Sequence, residues 1–306
     1  MDTYLLLPHL KIHNANAFSS IYTIGIPAMT SWLGFTHALE RRINVQNATE
    51  KVEFAKTAVI IHDYHLHSHR LRGNNYNSLA VTANPLKKKG SEFERPPFIA
   101  EGRIDLEVSI LISVNGVNSV NEEIIKSEVN KNLYKMKIAG GDILPNAKLE
   151  KKKNKIIYDD GFNTEFYYIE EESEKEKELR GRLRKGYAII ERRDLMIENN
   201  SEGDDLDKLL DCLKVNFKAK DSDDKKVIWE ASKKTSGWIV PIVTGYRGIQ
   251  SSGNVNNQRD VNYEHQFVEP VVTLGEFKTV YGLDSLEEMM WKYHAENDLY
   301  VCVNNN

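Results

Sequence analysis

Two segments of this 306-residue chain combine residue types and spacing that could do chemistry. The first, Met136-Lys137-Ile138-Ala139-Gly140-Gly141-Asp142-Ile143-Leu144-Pro145, sets a glycine pair between two short apolar runs. Paired glycines let the backbone take positive φ and bring its N–H groups close to a ligand, the geometry with which loops hold phosphate. Most such pairs are only tight turns, so this one needs support from elsewhere in the chain. The second segment is Asp63-Tyr64-His65-Leu66-His67-Ser68-His69. On a strand its three histidines share a face, and imidazoles so placed are a donor set for zinc. The same alternation arises on any half-exposed strand, and we expect no metal and no other cofactor. The chain carries no Ser-His-Asp arrangement, Walker-type loop or dinucleotide fingerprint.

The elements that must position these residues follow from the apolar spacing. Tyr4 to Asn14 reads as a strand, with Leu5, Leu6 and Leu7 near its start and Leu10 and Ile12 alternating after it. Thr30 or Ser31 caps a helix with Leu33, Ala38 and Leu39 on its apolar face, ending at Arg41-Arg42. A long strand runs from about Val52 to His69, and the glycine-, asparagine- and proline-rich stretch Gly73 to Pro97 is an exposed excursion. Arg103 to Val114 alternates cleanly, with Ile104, Leu106, Val108, Ile110 and Ile112 on one face. A helix over Ser119 to Tyr134, with Val120, Ile124, Val129 and Leu133 inward, precedes a strand at Lys135 to Ala139. The order β-α-β-β-α-β predicts an α+β, ferredoxin-like (RRM-like) module over residues 1–145. Residues 146–180 read as a charged insertion with a mobile tip. Residues 181–306 form a mixed α/β C-terminal region that packs on the first module. Its strands are Tyr187–Glu191, Val227–Glu230 and Trp238–Val243, and its last helix starts at Ser285, where Ser285 and Glu288 make a capping box.

Composition narrows the class. An apolar fraction of 41% supports a real core, and 28% charged residues are ordinary for a soluble protein. The longest apolar runs, such as Ala58-Val59-Ile60-Ile61, are too short to span a bilayer. The start lacks the basic region and apolar core of a signal peptide. Cys212 and Cys302, the two cysteines, read as free thiols in a reducing cytosol. A cytoplasmic chain without membrane contact is expected. The net charge of −4 argues against a nucleic-acid partner until its distribution is considered. Acid concentrates at Glu165 and between Glu170 and Glu178. Basic clusters lie elsewhere: Arg41-Arg42, Arg70 with Arg72, Lys87-Lys88-Lys89, Lys151-Lys152-Lys153 with Lys155, and Arg180 through Lys185. An acidic chain can therefore present a basic groove, although any one cluster reads equally as solvated surface.

Several segments, taken in order, carry a resemblance. They are Leu5-Leu6-Leu7-Pro8 with Asn14-Ala15-Asn16-Ala17, Gly34 through Arg42, Asn84-Pro85-Leu86, Glu101-Gly102-Arg103 through Ser109, Ala139 through Pro145, Gly237 through Pro241 with Gly245-Tyr246, and Trp291 through Glu296. Together the chain resembles the Csy-two subunits of type I-F CRISPR surveillance (Csy) complexes, Cas-five-type members of the RAMP superfamily. The lysine- and glutamate-rich stretch Lys148 to Glu178 has no counterpart in the resemblance. The resemblance implies a RAMP-type ferredoxin-like module with a thumb-like insertion, and a non-catalytic subunit that grips the 5′ handle of the crRNA. It implies partners too: the large subunit of the Csy complex, an adjacent backbone subunit and, indirectly, target DNA, which is read by base pairing to the guide.

The residues fit that expectation. Single-stranded RNA is held by basic groups for phosphate and by flat or polar side chains for bases. Asn14 and Asn16 end the first strand with amides for base edges, and Arg41 and Arg42 end the first helix. Arg70 and Arg72 open the excursion, which with Lys87, Lys88 and Lys89 is the candidate thumb. With Arg103, Gly140 and Gly141 these make the expected RNA-binding set. Two other readings compete. Some RAMP proteins cut RNA with a histidine base, which would make this chain a ribonuclease processing precursor crRNA. His37, on the first helix, is the residue for that role, but its setting between Phe35 and Ala38 reads as structural, and His294 has no evident acid–base partner. The other reading is a scaffold that contacts protein alone through Trp229, Trp238 and Trp291, since aromatics dominate interface hot spots.

Overall fold

The computed structural model describes residues 2–46, 51–79, 85–95, 101–145, 147–150, 155–158, 162–170, 173–199, 203–221 and 227–304. Of the segments singled out above, Asn84, residues 80–83 and 96–97 of the excursion, and Lys151 to Lys153 lie outside the described residues. The fold is α+β, a large antiparallel sheet with few helices.

The first half comprises β1 (Asp2–Asn16), α1 (Met29–Gln46), β2 (Glu53–Leu66), β7 (Arg103–Asn115), α2 (Glu122–Leu133), β8 (Lys137–Ile138) and β9 (Gly141–Leu144). Between β2 and β7 the excursion carries two short pairs, β3 (Ser68–His69) with β4 (Ser78–Leu79) and β5 (Lys87–Lys89) with β6 (Glu92–Glu94). A hairpin of β10 (Ala147–Glu150) and β11 (Lys155–Tyr158) follows β9. The second half comprises β12 (Glu165–Ile169), α3 (Glu174–Arg182), β13 (Tyr187–Glu191), α4 (Arg193–Ile197) and α5 (Asp205–Leu213). It continues with β14 (Val215–Asp221), β15 (Val227–Lys233), β16 (Ile239–Gly248), β17 (Val268–Thr279), β18 (Trp291–Glu296) and β19 (Leu299–Asn304). Among the described residues no helix is long and apolar enough to cross a membrane.

The apolar runs explain how the sheet is covered. Leu5 and Leu7 enter a core with α1 and α2, whereas Tyr4 and Leu6 enter a second core on the opposite face, with α3 and the turn before β18. Val59 and Ile61 against Ala58 and Ile60, and Ile110 and Ile112 against Leu111, divide in the same way. Successive strand residues point to opposite faces, so an unbroken apolar run marks a strand buried on both. Further along the same three strands the pattern becomes alternating. Leu10, Ile12, Ile104 and Leu106 stay in the helix-side core, and polar residues occupy the other face. The second layer ends there, and an open face begins.

The strand order across this half is β9-β1-β7-β2, antiparallel throughout. The strand that pairs with β1 is Gly141–Leu144; Lys137–Ile138 backs it across the Ala139-Gly140 turn, where φ is +49° and +77°. The expected strand at Lys135 to Ala139 thus forms only over Lys137–Ile138, as the outer strand of this hairpin, because the chain turns at Ala139-Gly140. Helix α2 buries Ile125, Val129 and Leu133, four residues apart, and leaves Val120 and Ile124 exposed. The expected inward pair was one residue out of phase. Helix α1 runs one turn beyond Arg41-Arg42, to bury Ile43.

In the second half the pairings close on themselves. The path β13-β17-β16-β19-β18 returns to β2, which pairs with β18 at Thr57 and with β13 at Ile60 and Ile61. Trp291 is fully buried in this ring, and its indole N–H donates to the Ile189 carbonyl at 2.8 Å. The helix expected from Ser285 does not form. Glu288 does accept from the Asp284 and Ser285 N–H groups, but only one 3₁₀ turn (Glu287–Met289) follows before β18. Met289 and Met290 enter one core and Trp291 the other. Burial on two opposite sides over three residues suits extended chain better than a helix with one apolar stripe.

The charged stretch after β9 is built into the fold in its latter part. Phe162 is buried, β12 pairs with β1 from Asp2 to Leu6, and Leu179 of α3 is buried in the second core. Among the described residues strands β14 and β15 pair only with each other, and Val227–Lys233 forms an arm whose side chains are exposed along its length.

Candidate functional site

The open face is shaped by irregularities in two strands, β1 and β2. Strand β1 shifts register between Leu7 and Leu10 and again between Ile12 and Ala15. Pro8, with no N–H to donate, sits at the first shift, where β1 has passed its last partner in β12 and has not reached its first in β9. His9 and Asn14 take left-handed φ values of +50° and +62°. Their N–H groups, which the regular ladder would leave unpaired, each go to a side chain of β7: His9 to Ser109 Oγ at 3.1 Å and Asn14 to Asp105 Oδ1 at 2.7 Å. Bulges of this kind re-aim side chains beside functional sites. A third shift, between Ile61 and Asp63 in β2, brings His62 to the same Ser109 hydroxyl at 2.7 Å.

The result is an array of imidazoles and carboxylates. His9 stacks on His62 with ring centroids 4.2 Å apart, and its Nδ1 lies 2.8 Å from Glu107 Oε1. Asp105 bridges two more rings, with His13 Nδ1 at 2.9 Å from one oxygen and His67 Nε2 at 3.0 Å from the other. His65 lies beside His67, and Lys11 and Asp63 line the same shallow cavity of about 220 Å³. Burial would raise the Asp105 carboxyl, but the Asn14 N–H and the imidazoles of His67 and His13 outweigh it and hold the group below the usual carboxylate range. Burial, and then the neighbouring His9, push His62 from 6.5 down to about 4, against a smaller pull from Glu107.

That depression has a testable sign. The unfolded chain takes up the His62 proton first as pH falls, so the neutral ring's contribution to stability is complete above about 6.5. It is lost between there and about 4. Urea unfolding of wild type and His62→Gln across this window is expected to show a flatter stability profile in the variant. An identical slope in both would place the acid sensitivity in other groups.

Chemically the face offers acceptors and proton-dependent donors at the spacing of a sheet, suited to base edges more than to phosphate. Among the described residues no group of three or more His, Cys, Asp or Glu is arranged to hold a metal ion. Of the alternating histidines, His67 turns to Asp105 and His69 pairs with Ser78 in the excursion.

The expected RNA-binding residues fall in three places. Asn14, Asn16, Arg103, Gly140 and Gly141 converge at one end of the sheet: the Asn16 N–H donates to Ala139 O at 2.9 Å, and Arg103 donates to Asn14 O at 3.3 Å. Both ends of the Asn16 amide engage the Phe18 backbone, at 2.9 and 3.0 Å, and Arg103 is ion-paired to Glu101. Arg41 and Arg42 lie on the helix layer, on the other side of the sheet from the imidazoles, where they line a cavity with Val45 and Asn132. Arg70, Arg72 and Lys87 to Lys89 belong to the excursion; Arg70 holds its own loop through Asn74 O and Asn75 Oδ1, and Lys89 pairs with Glu94. His37 is exposed against the edge of Tyr293, and His294 has Glu296 at 3.5 Å, a partner the sequence had not suggested. His9, His13, His62, Asp105 and Glu107 were not singled out from sequence. Their signal was there, in polar residues at alternate positions of otherwise apolar strands.

Sequence comparison places the protein that carries this open polar face and glycine hairpin among the CRISPR-associated proteins. The chain belongs to the Csy2 family, whose profile, described as CRISPR-associated protein (Cas_Csy2), matches residues 5–302. It is also 30% identical over 317 aligned positions to the CRISPR-associated protein Csy2 of Pseudomonas aeruginosa (strain UCBPP-PA14), across 97% of this chain and 93% of that protein.

Proposed function

We propose that this chain is a non-catalytic, cytoplasmic, RNA-binding subunit of a type I-F CRISPR surveillance complex. In this reading it holds the 5′ handle of the crRNA, pairs with the large subunit and abuts a backbone subunit, while base pairing to the guide reads the DNA target. The observation that carries the reading is the β9-β1-β7-β2 order with α1 and α2 on one side. We read it as the RAMP-type ferredoxin-like module of residues 1–145, with the excursion at 73–97 as its thumb and residues 181–306 as the region packed on it. Single-stranded RNA laid on such a sheet puts its bases on the polar face and its phosphates outward, toward Arg103 and the Gly140-Gly141 turn. The exposed Phe217 and Trp229 of the β14–β15 arm supply apolar surface for a protein partner.

The test is co-expression with the neighbouring large subunit and a repeat-spacer transcript, followed by sequencing of the RNA that co-purifies. A stoichiometric complex with RNA protected at its 5′ handle supports the reading; a soluble chain carrying neither RNA nor partner sinks it. Cut RNA in the absence of any processing subunit would favour the ribonuclease instead. Arg41 and Arg42 lie on the far side of the sheet from the polar face, so in the same preparation Arg41→Ala with Arg42→Ala is expected to leave the salt dependence unchanged. A log–log slope shallower by about 1.4, two phosphate contacts on single-stranded RNA, would bring the helix layer into the binding surface.

A further inference from the structure

Next to the polar face a second recess opens against the C-terminal ring, with a cavity of about 300 Å³, the low end of the range for small-ligand sites. Its wall is aromatic. The Tyr187 ring meets the Trp238 indole edge-on with centroids 5.6 Å apart, and the Phe277 ring lies tilted to the indole with centroids 4.9 Å apart. Trp238 is 46% exposed and Tyr187 40%, so both rings present area to the recess as well as to each other. Neither the Trp238 N–H nor the Tyr187 hydroxyl has a hydrogen-bond partner among the described residues. Asp63 and Tyr64 of β2 line this recess and the polar face alike. One Asp63 oxygen accepts from the Tyr64 N–H at 2.9 Å, which leaves the other as an acceptor at the shared lip.

An aromatic wall, unpaired donors beside it and a carboxylate at the lip fit a flat heteroaromatic ring with a polar edge. We infer that this recess receives one nucleobase of the bound single-stranded RNA, stacked on Trp238, with an amino-bearing edge toward Asp63. The inference rests on the RNA reading above. It adds a position: a strand lying bases-down across β1, β7 and β2 reaches the β2 edge at Asp63 and Tyr64, and its next base has the recess within reach. A partner's aromatic side chain would fill the same wall but would leave the Asp63 acceptor unused. A base uses both, and adenine, cytosine and guanine carry the amino group that uracil lacks.

The experiment is an abasic scan. Handle RNAs, each lacking one base, are titrated against full-length wild type, Trp238→Ala and Trp238→Phe, each alone and co-expressed with the large subunit. At one position the missing base is expected to weaken wild-type binding about 5- to 150-fold, the range for one base stacked on an aromatic ring. The same missing base should cost Trp238→Ala no more than about twofold, while Trp238→Phe keeps most of the wild-type penalty. Uracil at that position should be disfavoured by wild type and tolerated by Asp63→Asn. If RNA binds tightly and no position couples to Trp238, the recess is not a base site and the RNA reading stands. If Trp238→Ala releases the large subunit while RNA affinity is unchanged, the recess belongs to a protein. If no form binds RNA, both readings fall together.

Discussion

Trp291→Ala is expected to destabilise the protein by about 3–5 kcal/mol, the cost of emptying a buried indole site. The indole is fully buried where the C-terminal ring returns to β2, and β18 meets β2 at the single pair Trp291 and Thr57. Truncation also leaves the Ile189 carbonyl without its donor, a further penalty for a buried acceptor. Beside it, Asn304 ties the ring's ends, donating to the Glu288 and Met290 carbonyls at 2.9 and 2.8 Å and accepting from the Glu191 N–H at 3.1 Å. Against a total stability of about 5–15 kcal/mol, this one change removes a large share. Urea denaturation followed by circular dichroism measures it, and Trp291→Phe, which keeps most of the ring volume, is expected to lose less. A Trp291→Ala protein within about 1 kcal/mol of wild type would mean that the ring does not depend on its indole.

The two glycines of the hairpin should respond differently, and the contrast isolates space from conformation. A Cβ on Gly141 would sit 2.8 Å from both the Cα and the N of Ala15, backbone atoms that cannot turn aside. Relief requires β9 to part from β1, where Lys11, Ile12 and His13 face Leu144, Ile143 and Asp142. Gly141→Val is therefore expected to cost about 3 kcal/mol or more, the upper range for forced overpacking, and to displace Ala15 and Asn16. At Gly140 a Cβ meets open space, and the difficulty is φ of +77° alone, worth about 1–3 kcal/mol for valine. Asparagine tolerates that conformation, so Gly140→Asn should stay near wild type while Gly141→Asn should not. Thermal melts of the four variants decide it. Equal behaviour of the two asparagine variants would show that space is not what glycine supplies at position 141.

Much of the frame was legible because it is local. The alternation of Ile104, Leu106, Val108, Ile110 and Ile112 names a strand and its inner face, and the apolar run at Leu5 to Leu7 names another. A pair of glycines announces a turn. The failures share a cause. Ser285 with Glu288 is a genuine helix-start signal and one of its two hydrogen bonds forms, from the Ser285 N–H to the Glu288 carboxylate, yet Trp291 is claimed by a core that residues far away in sequence create. The phase of α2 was missed by one residue because Val120, Ile124 and Ile125 are interchangeable to any count of apolar spacing; only the helix's seat on the sheet selects Ile125.

The candidate site divides along the same line. Its residue types were visible: histidines, asparagines and carboxylates at alternate positions on strands. Their assembly was not. His9 reaches Ser109 and Glu107, and Asn14 reaches Asp105, across about ninety to one hundred residues of chain. Those meetings depend on the antiparallel register of β1 against β7 and on two bulges that shift it. The sequence by itself determined which segments are extended, which faces are apolar and where the chain turns, since these follow from neighbours in the chain. The tertiary structure alone decided where the second layer ends and which polar residues that leaves together in the open, because burial is settled by what packs against a face and not by the residues on it.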